Sequence, residues 1–372
     1  METKKYKLSE ISLNVTDGEH GTVKDDNNGN YFLLSCKNIK NGLINITSSE
    51  RKINKESFYK IQKRIKLEKN DVLITTVGTI GEMAIIEDEN INYCFQRSVG
   101  IIKPNKEFVN PYFLYYSLRN ELGQIATLIK GAVQKCLFIN DMKMIEVSLP
   151  DLKTQNKIVK ALQNIDKKIK LNNEINNNLY EEAVALYKDK FKGIGQGKKT
   201  IGDYIVPKRG KNLLTRDAID GDTPVVAGGI APSAYHNQFN TKSPVITISA
   251  SGANAGYTNL WNIPVWASDC SYIDDSITKN VYFWYIVLKT RQNEIFDAQT
   301  GSAQPHIYPQ HIAEISIGEL NIAEVEKYNN LVAPLFKMIG ESQKENKKLS
   351  QLRDTLLPKL MNGEIDLDNI EI

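Results

Sequence analysis

The residues of this chain best suited to chemistry are polar side chains gathered beside glycine turns, and that chemistry is hydrogen bonding. In one stretch they are Thr76, Thr79, Gln96, Arg97, Lys130, Gln134 and Lys135. In another they are Lys208, Arg209, Lys211, Ser249, Ser251, Asn254, Gln304 and His306. Arg, Lys, Gln, Asn and Ser carry donors and acceptors that match base edges in a DNA groove. Glycine lets a backbone approach such a groove closely, since no side chain intervenes.

Signals for catalysis are weaker. Asn110-Pro-Tyr-Phe113 is one residue from the N-P-P-Y/F loop of amino-methyltransferases, but no glycine-rich cofactor loop accompanies it. Gly193-Ile-Gly-Gln-Gly-Lys198-Lys-Thr200 is one residue short of G-x-x-x-x-G-K-[ST], and it follows a helical stretch instead of a strand. A flexible linker is the better reading. His20, His236, His306 and His311 show no H-x-x-x-H or H-E-x-x-H pairing, so a metal centre is not expected. The sequence shows no clear nuclease carboxylate cluster, G-x-S-x-G elbow or helicase motif.

The two polar sets belong to two copies of one pattern. A shift of 170 residues (280 − 110) carries Asn110-Pro-Tyr-Phe113 onto Asn280-Val-Tyr-Phe283. The same shift carries Gly131-Ala-Val-Gln134 onto Gly301-Ser-Ala-Gln304, Phe138 onto Tyr308 and Ile145 onto Ile315. A repeat this long is not a solenoid, whose units are far shorter. Each copy opens alike, with Lys7-Leu-Ser-Glu-Ile11 resembling Thr200-Ile-Gly-Asp-Tyr204. That pair is offset by 193 (200 − 7), so the first copy holds 23 extra residues (193 − 170) between them. β-Branched runs beside glycine turns, 71–81 and 244–256, predict buried strands. Short helices are expected at 111–122 and 281–293, and closing strands at 143–149 and 313–318. Such a chain reads as a pseudo-twofold object suited to gripping something with two similar ends, of which duplex DNA is the commonest candidate.

A long helix follows each copy. Pro150 suits a first turn, Asp151 a cap and Gly193 the position past the end. The second long helix runs from about Asn321 to Gly363. Pro334, Gly340 and Pro358 inside it predict a kink or break. Apolar positions recur at 3-4 spacing through Ile158, Leu162, Ile165, Ile169, Leu179, Ala183 and Leu186. They recur again through Tyr328, Val332, Leu335, Ile339, Leu349 and Leu356. Asn172, Asn176 and Asn346 fall in the same seam. A seam Asn lowers stability but fixes register, because a shifted partner leaves its amide unpaired. The matched frames predict an antiparallel, coiled-coil-like pair. About 40 residues at 1.5 Å each make a rod of roughly 60 Å.

The fold class expected is α+β, with two mixed α/β domains in pseudo-twofold arrangement on two long antiparallel helices. The expected segments are a first globular domain over 1–148, a helix over 149–192 and a linker over 193–199. A second globular domain covers 200–318, a second helix 319–363 and a C-terminal tail 364–372. The 372 residues leave room for two or three domains with their own cores. Net charge is only +3, less basic than a stand-alone DNA clamp usually is. Phosphate contacts would then be shared with partner chains. No apolar run long enough to span a membrane occurs. Cys36, Cys94, Cys136 and Cys270 form no C-x-x-C pair. A start without a signal-peptide core and this cysteine usage point to the cytoplasm.

Two segments carry a resemblance to a known family. Leu149-Pro-Asp-Leu-Lys-Thr-Gln155-Asn-Lys-Ile158-Val with Ile165-Asp-Lys-Lys-Ile169 resembles the central conserved region of the specificity subunits of type I restriction–modification enzymes. Leu352-Arg-Asp-Thr-Leu-Leu-Pro358-Lys-Leu-Met-Asn-Gly363-Glu-Ile resembles their distal conserved region. The resemblance implies a non-catalytic chain whose target recognition domains each read one half of a bipartite duplex DNA site. The helices would set the half-site spacing and dock two methyltransferase subunits, with Leu152, Gln155, Ile158, Leu356 and Leu360 as candidate contacts. Motor–nuclease subunits would join them. S-adenosylmethionine, ATP and Mg2+ would serve those partners, with no cofactor or metal on this chain. The second helix departs from the pattern, since Leu320-Asn-Ile-Ala-Glu-Val-Glu lacks equivalents of Pro150 and Gln155. Two other classes compete: an enzyme with a concealed site, such as a fused methyltransferase, and a structural or sugar-binding tandem module with a helical spacer.

Overall fold

The computed structural model describes residues 2–132, 134–195, 197–301 and 304–365. The chain divides into two compact units. One comprises Met1–Lys167 with Leu349–Ile372, and the other Lys168–Lys348. Two long helices, Leu152–Lys190 and Ile322–Met361, therefore each contribute to both units.

The first unit opens on the strand Lys4–Lys7, paired antiparallel with Glu146–Leu149. A single 3-10 turn follows, Leu8–Glu10, fastened where the Lys7 N–H donates to the Glu10 carboxylate at 2.6 Å. Next comes a four-stranded antiparallel sheet in the order Ser12–Asp17, Val99–Pro104, Val72–Thr75, Met83–Ile85. Val72–Thr75 is buried along its whole length, as a run of β-branched residues covered on both faces should be. A smaller sheet orders Lys52–Ile53, Tyr31–Leu34 and Tyr93–Phe95, with the last two strands parallel. The residues extra to the first copy supply the helix Lys55–Ile65, which Asn54 caps by accepting from the Ser57 N–H at 2.8 Å.

The second unit repeats this topology. Lys199–Thr200 pairs antiparallel with Ser316–Ile317, and a 3-10 turn, Ile201–Asp203, is again tied by its acidic third residue. The four-stranded sheet runs Lys208–Arg209, Cys270–Asp274, Val245–Ser249, Thr258–Trp261. The three-stranded one runs Ala234–His236, Thr223–Val226, Trp266–Ala267, again with one parallel pair. The expected short helices resolve into pairs, Pro111–Asn120 with Leu122–Leu128 and Val281–Thr290 with Gln292–Asp297.

Each unit buries its share of the long helices. In the first, Ile158, Val159 and Leu162 join Leu357, Leu360 and Met361 in the core beneath Phe113 and Tyr116. The Asp166 carboxylate accepts from the Arg353 guanidinium at 2.8 Å and from the Tyr116 hydroxyl at 2.6 Å. In the second unit, Ala183, Tyr187 and Phe191 pack with Tyr328, Val332 and Phe336. There the segments run antiparallel. The Tyr328 hydroxyl donates to the Ala183 carbonyl at 2.8 Å, and the Asn172 amide donates to Asn346 at 2.8 Å. Numbers that rise on one helix fall on the other.

The polar seam is assembled differently from its expected form. Asn172 is buried and donates to both Glu345 (2.7 Å) and Asn346, while Asn346 donates to Asn173 at 2.9 Å. The Asn176 Oδ1 is buried and accepts no hydrogen bond among the described residues. Replacing a desolvated, unpaired carbonyl by an apolar group of similar size should help. Asn176→Leu is expected to raise the stability of the second unit by about 1 kcal/mol, read as a higher urea midpoint. An unchanged or lower midpoint would contradict that assignment.

Two expectations about the helices are corrected. Pro150 lies outside the first helix, which Asp151 caps by accepting from the Thr154 N–H at 2.9 Å. The second helix runs through Pro334, Gly340 and Pro358 without a break. Val332 and Phe336 flank Pro334 in one core, and Leu357 and Leu360 flank Pro358 in another, so burial on both sides holds the turns together. Glycine at 340 has a separate reason: a Cβ there would lie 2.6 Å from that of Asn262.

Candidate nucleic-acid interface

In each unit the polar candidates gather at one end of the four-stranded sheet, where its central strand meets the Gly-x-x-Gln loop. In the first unit, Lys130 and Cys136 exchange two backbone hydrogen bonds, 3.0 and 2.8 Å, and close the loop at its foot. The Leu137 N–H then donates to the Thr76 carbonyl at 2.9 Å, which moors the loop to the strand end. In the second unit, Thr300 and His306 exchange the equivalent pair at 2.9 and 2.8 Å, and the Ile307 N–H donates to the Ala250 carbonyl. The loops turn on Gly131 (φ +113°) and Gly301 (φ +93°). A Cβ would sit 2.1 Å from the Gln134 carbonyl oxygen in the first and 2.6 Å from that of Gln304 in the second, so only glycine fits. Val133, Ser302 and Ala303 lie outside the described residues, as do Gln196 of the linker and 366–372 of the tail.

This geometry presents some of the sequence candidates and withdraws others. Gln134, Lys135 and Gln304 are exposed at the loop tips. Arg97 is exposed, and Gln96 half-buried, on the segment that hydrogen-bonds to Thr76. Thr79 is exposed on the turn after the strand, where its carbonyl accepts from Thr75. Lys130 is exposed but ion-paired with Asp141 at 2.6 Å. Lys208, Arg209 and Lys211 are exposed along the sheet edge, and Ser251, Asn254 and His306 are half-buried around the second loop.

Two candidates are corrected. Thr76 and Ser249 are buried, and their hydroxyls donate to the carbonyls of Arg97 (3.2 Å) and Gly229 (3.2 Å). Both support the strand end and offer nothing to a ligand. Nearby thiols are not nucleophiles. Burial pushes the Cys270 thiol up to about 12. It also raises that of Cys136, where the Arg97 guanidinium works the other way.

Several residues of the site were missed. The Phe138 and Tyr308 rings are both exposed at the loop foot, at corresponding positions of the repeat. Their signal was available: an aromatic residue held at one repeat position although neither copy buries it. Asp269 has no counterpart signal and emerges only from the fold.

The helix candidates also separate. Leu152 is exposed, at 39%, and Leu356 is half-buried against the core. Gln155, Ile158 and Leu360 are buried, which corrects their reading as docking contacts. Gln155 is spent internally. It accepts from the Asn110 N–H at 2.9 Å and donates to the carbonyls of Phe108 and Pro150. In the second unit Asn329 accepts from the N–H groups of Tyr282 and Phe283, the capping role that the Asn110 side chain fills for Tyr112 and Phe113 in the first.

Comparison with known proteins points to one family. Residues 5–181 match the model of the type I restriction modification DNA specificity domain. The first half of the chain thus matches a type I specificity domain, and the chain is similar to type I specificity subunits along most of its length. It is 24% identical over 392 residues to the type I restriction enzyme MjaIX specificity subunit of Methanocaldococcus jannaschii, covering 94% of this chain and 90% of that one. It is 32% identical over 150 residues to the EcoBI specificity subunit of Escherichia coli, covering 39% and 31%. In fold it is similar to the S subunit of the type I system of M. genitalium, with a TM-score of 0.55 at 20% identity over 97% of this chain and 96% of the other. These likenesses support a DNA-specificity subunit of a type I restriction–modification system. Among the described residues no helix is long and apolar enough to cross a membrane. Among the same residues no group of three or more His, Cys, Asp or Glu side chains is arranged to hold a metal ion.

Proposed function

We propose that each unit reads one half of a bipartite duplex DNA site, with its Gly-x-x-Gln loop and sheet end facing the groove. The observation that carries this reading is the repetition of one architecture. Both units moor a glycine-turned loop to the end of a buried strand, and both surround it with exposed Arg, Lys and Gln. The two long helices set the distance between half-sites and dock two methyltransferase subunits. Motor–nuclease subunits complete the restriction complex. The chain itself is non-catalytic and cytoplasmic. S-adenosylmethionine, ATP and Mg2+ belong to the partners, which also supply much of the phosphate contact that a net charge of +3 leaves wanting.

The test is reconstitution. The chain is expected to co-purify with a type I methyltransferase subunit of its own host. That complex, given S-adenosylmethionine, should methylate DNA at a defined site, and neither component should do so alone. Methyl transfer by the purified chain, or site selection by the methyltransferase without it, would overturn the proposal.

A further inference from the structure

One arginine in the second unit differs from every other basic candidate in how it is held. Arg209 sits on the edge strand Lys208–Arg209, opposite Ser271. Gly210 lets that strand run close to its neighbour, since a Cβ there would lie 2.3 Å from the Ser268 carbonyl oxygen. The Arg209 guanidinium donates through one Nη2 to the Asp269 carboxylate. The other oxygen of Asp269 accepts from the Ser251 hydroxyl. Ser251 in turn faces His306 at the foot of the Gly301–Gln304 loop. The guanidinium also lies over the Tyr308 ring, 6.0 Å from its centroid. Carboxylate and ring thus fix the plane of the fork from two sides. Among the described residues its remaining nitrogens have no partner, and the side chain is 41% exposed.

This arrangement suits one ligand chemistry better than another. A phosphate would meet the Asp269 carboxylate beside the arginine and be repelled by it. A guanine presents two acceptors, O6 and N7, spaced for a guanidinium edge, and carries no charge. A fork already oriented also loses less entropy on binding than a free one. Arg97, the exposed arginine among the first unit's candidates, has no carboxylate partner among the described residues.

The geometry points to Arg209, oriented by Asp269, Ser251 and Tyr308, as the residue that reads a guanine in the half-site of the second domain. The inference rests on the DNA-reading role proposed above.

The experiment uses the full chain in complex with its methyltransferase subunit and a library of randomised duplexes, with the methylated sequences read out. The native complex should select a motif with a guanine at one position of one half-site. Arg209→Ala should lower discrimination at that position by roughly ten- to hundredfold and leave the other half-site unchanged. Asp269→Asn keeps shape but frees the fork, and should loosen the same position less severely. A uniform fall across all sequences would mark Arg209 as a phosphate contact and overturn the inference. So would an unchanged motif, or a native motif without guanine. If Arg209→Ala does not assemble, Asp269→Asn decides by the same criterion. A native complex with no sequence preference would instead sink the DNA-reading role itself.

Discussion

Four residues inserted into each long helix, between Lys167 and Lys168 and between Lys348 and Leu349, should abolish methylation of the native site and create a new one. The half-sites should keep their sequences, and the gap between them should grow by about two base pairs. The reason is arithmetic: four helical residues add roughly 6 Å, and DNA rises about 3.4 Å per base pair. Both insertion points lie where the chain passes from one unit to the other. The Asp166–Arg353 pair stays within the first unit, and the Asn172–Asn346 pair stays within the second. A four-residue insertion keeps apolar positions near the seam with only a local change of winding. Sequencing of methylated bases reads the result. Altered half-sites at an unchanged gap would show that the helices do not measure the site.

Phe283→Ala should be the most damaging single substitution for the second unit, at about 3–5 kcal/mol, the usual range for truncating a buried phenylalanine. Phe283 is fully buried. Its ring lies 5.0 Å from that of Phe191, 5.2 Å from Trp284, 6.0 Å from Tyr328 and 6.1 Å from Tyr187. Three of those partners stand on or beside the long helices, so the cavity would loosen both helices from the domain. Hydrogen exchange is the suitable measurement, because a chain of two units need not unfold in one step. Amides of the second unit should lose protection, and those of the first should not. A loss below about 1 kcal/mol would mean that the surrounding rings collapse into the space.

Much of this fold was legible in the residues. The matched openings of the two copies were legible as a repeat, although the 3-10 turns at Leu8–Glu10 and Ile201–Asp203 and their acidic ties emerge only from the fold. The buried central strands followed from β-branched runs beside glycine, and the helix pair from 3-4 apolar spacing. Reading failed where a tertiary contact overrides local preference. Prolines 334 and 358 would end an isolated helix, yet packing on both sides keeps it whole. Asn176 shared the frame of Asn172, but a hydrogen bond depends on what stands opposite, which spacing on one helix does not report. The site was half legible. Gly-x-x-Gln spacing marked the loops, and exposed Arg, Lys and Gln belong to them. Thr76 and Ser249 have the right chemistry but stand at the last turns of buried strands, where their hydroxyls face inward. Asp269 was invisible because its importance lies in reaching Arg209 from 60 residues away.

Methylome sequencing of a host that carries only this chain and its methyltransferase subunit is the direct test of two DNA-reading units on one chain. The expected result is a split motif: two short specified blocks separated by a fixed, unspecified gap of about one helical turn. A single uninterrupted motif, or methylation without sequence preference, would contradict the reading of two heads on one chain.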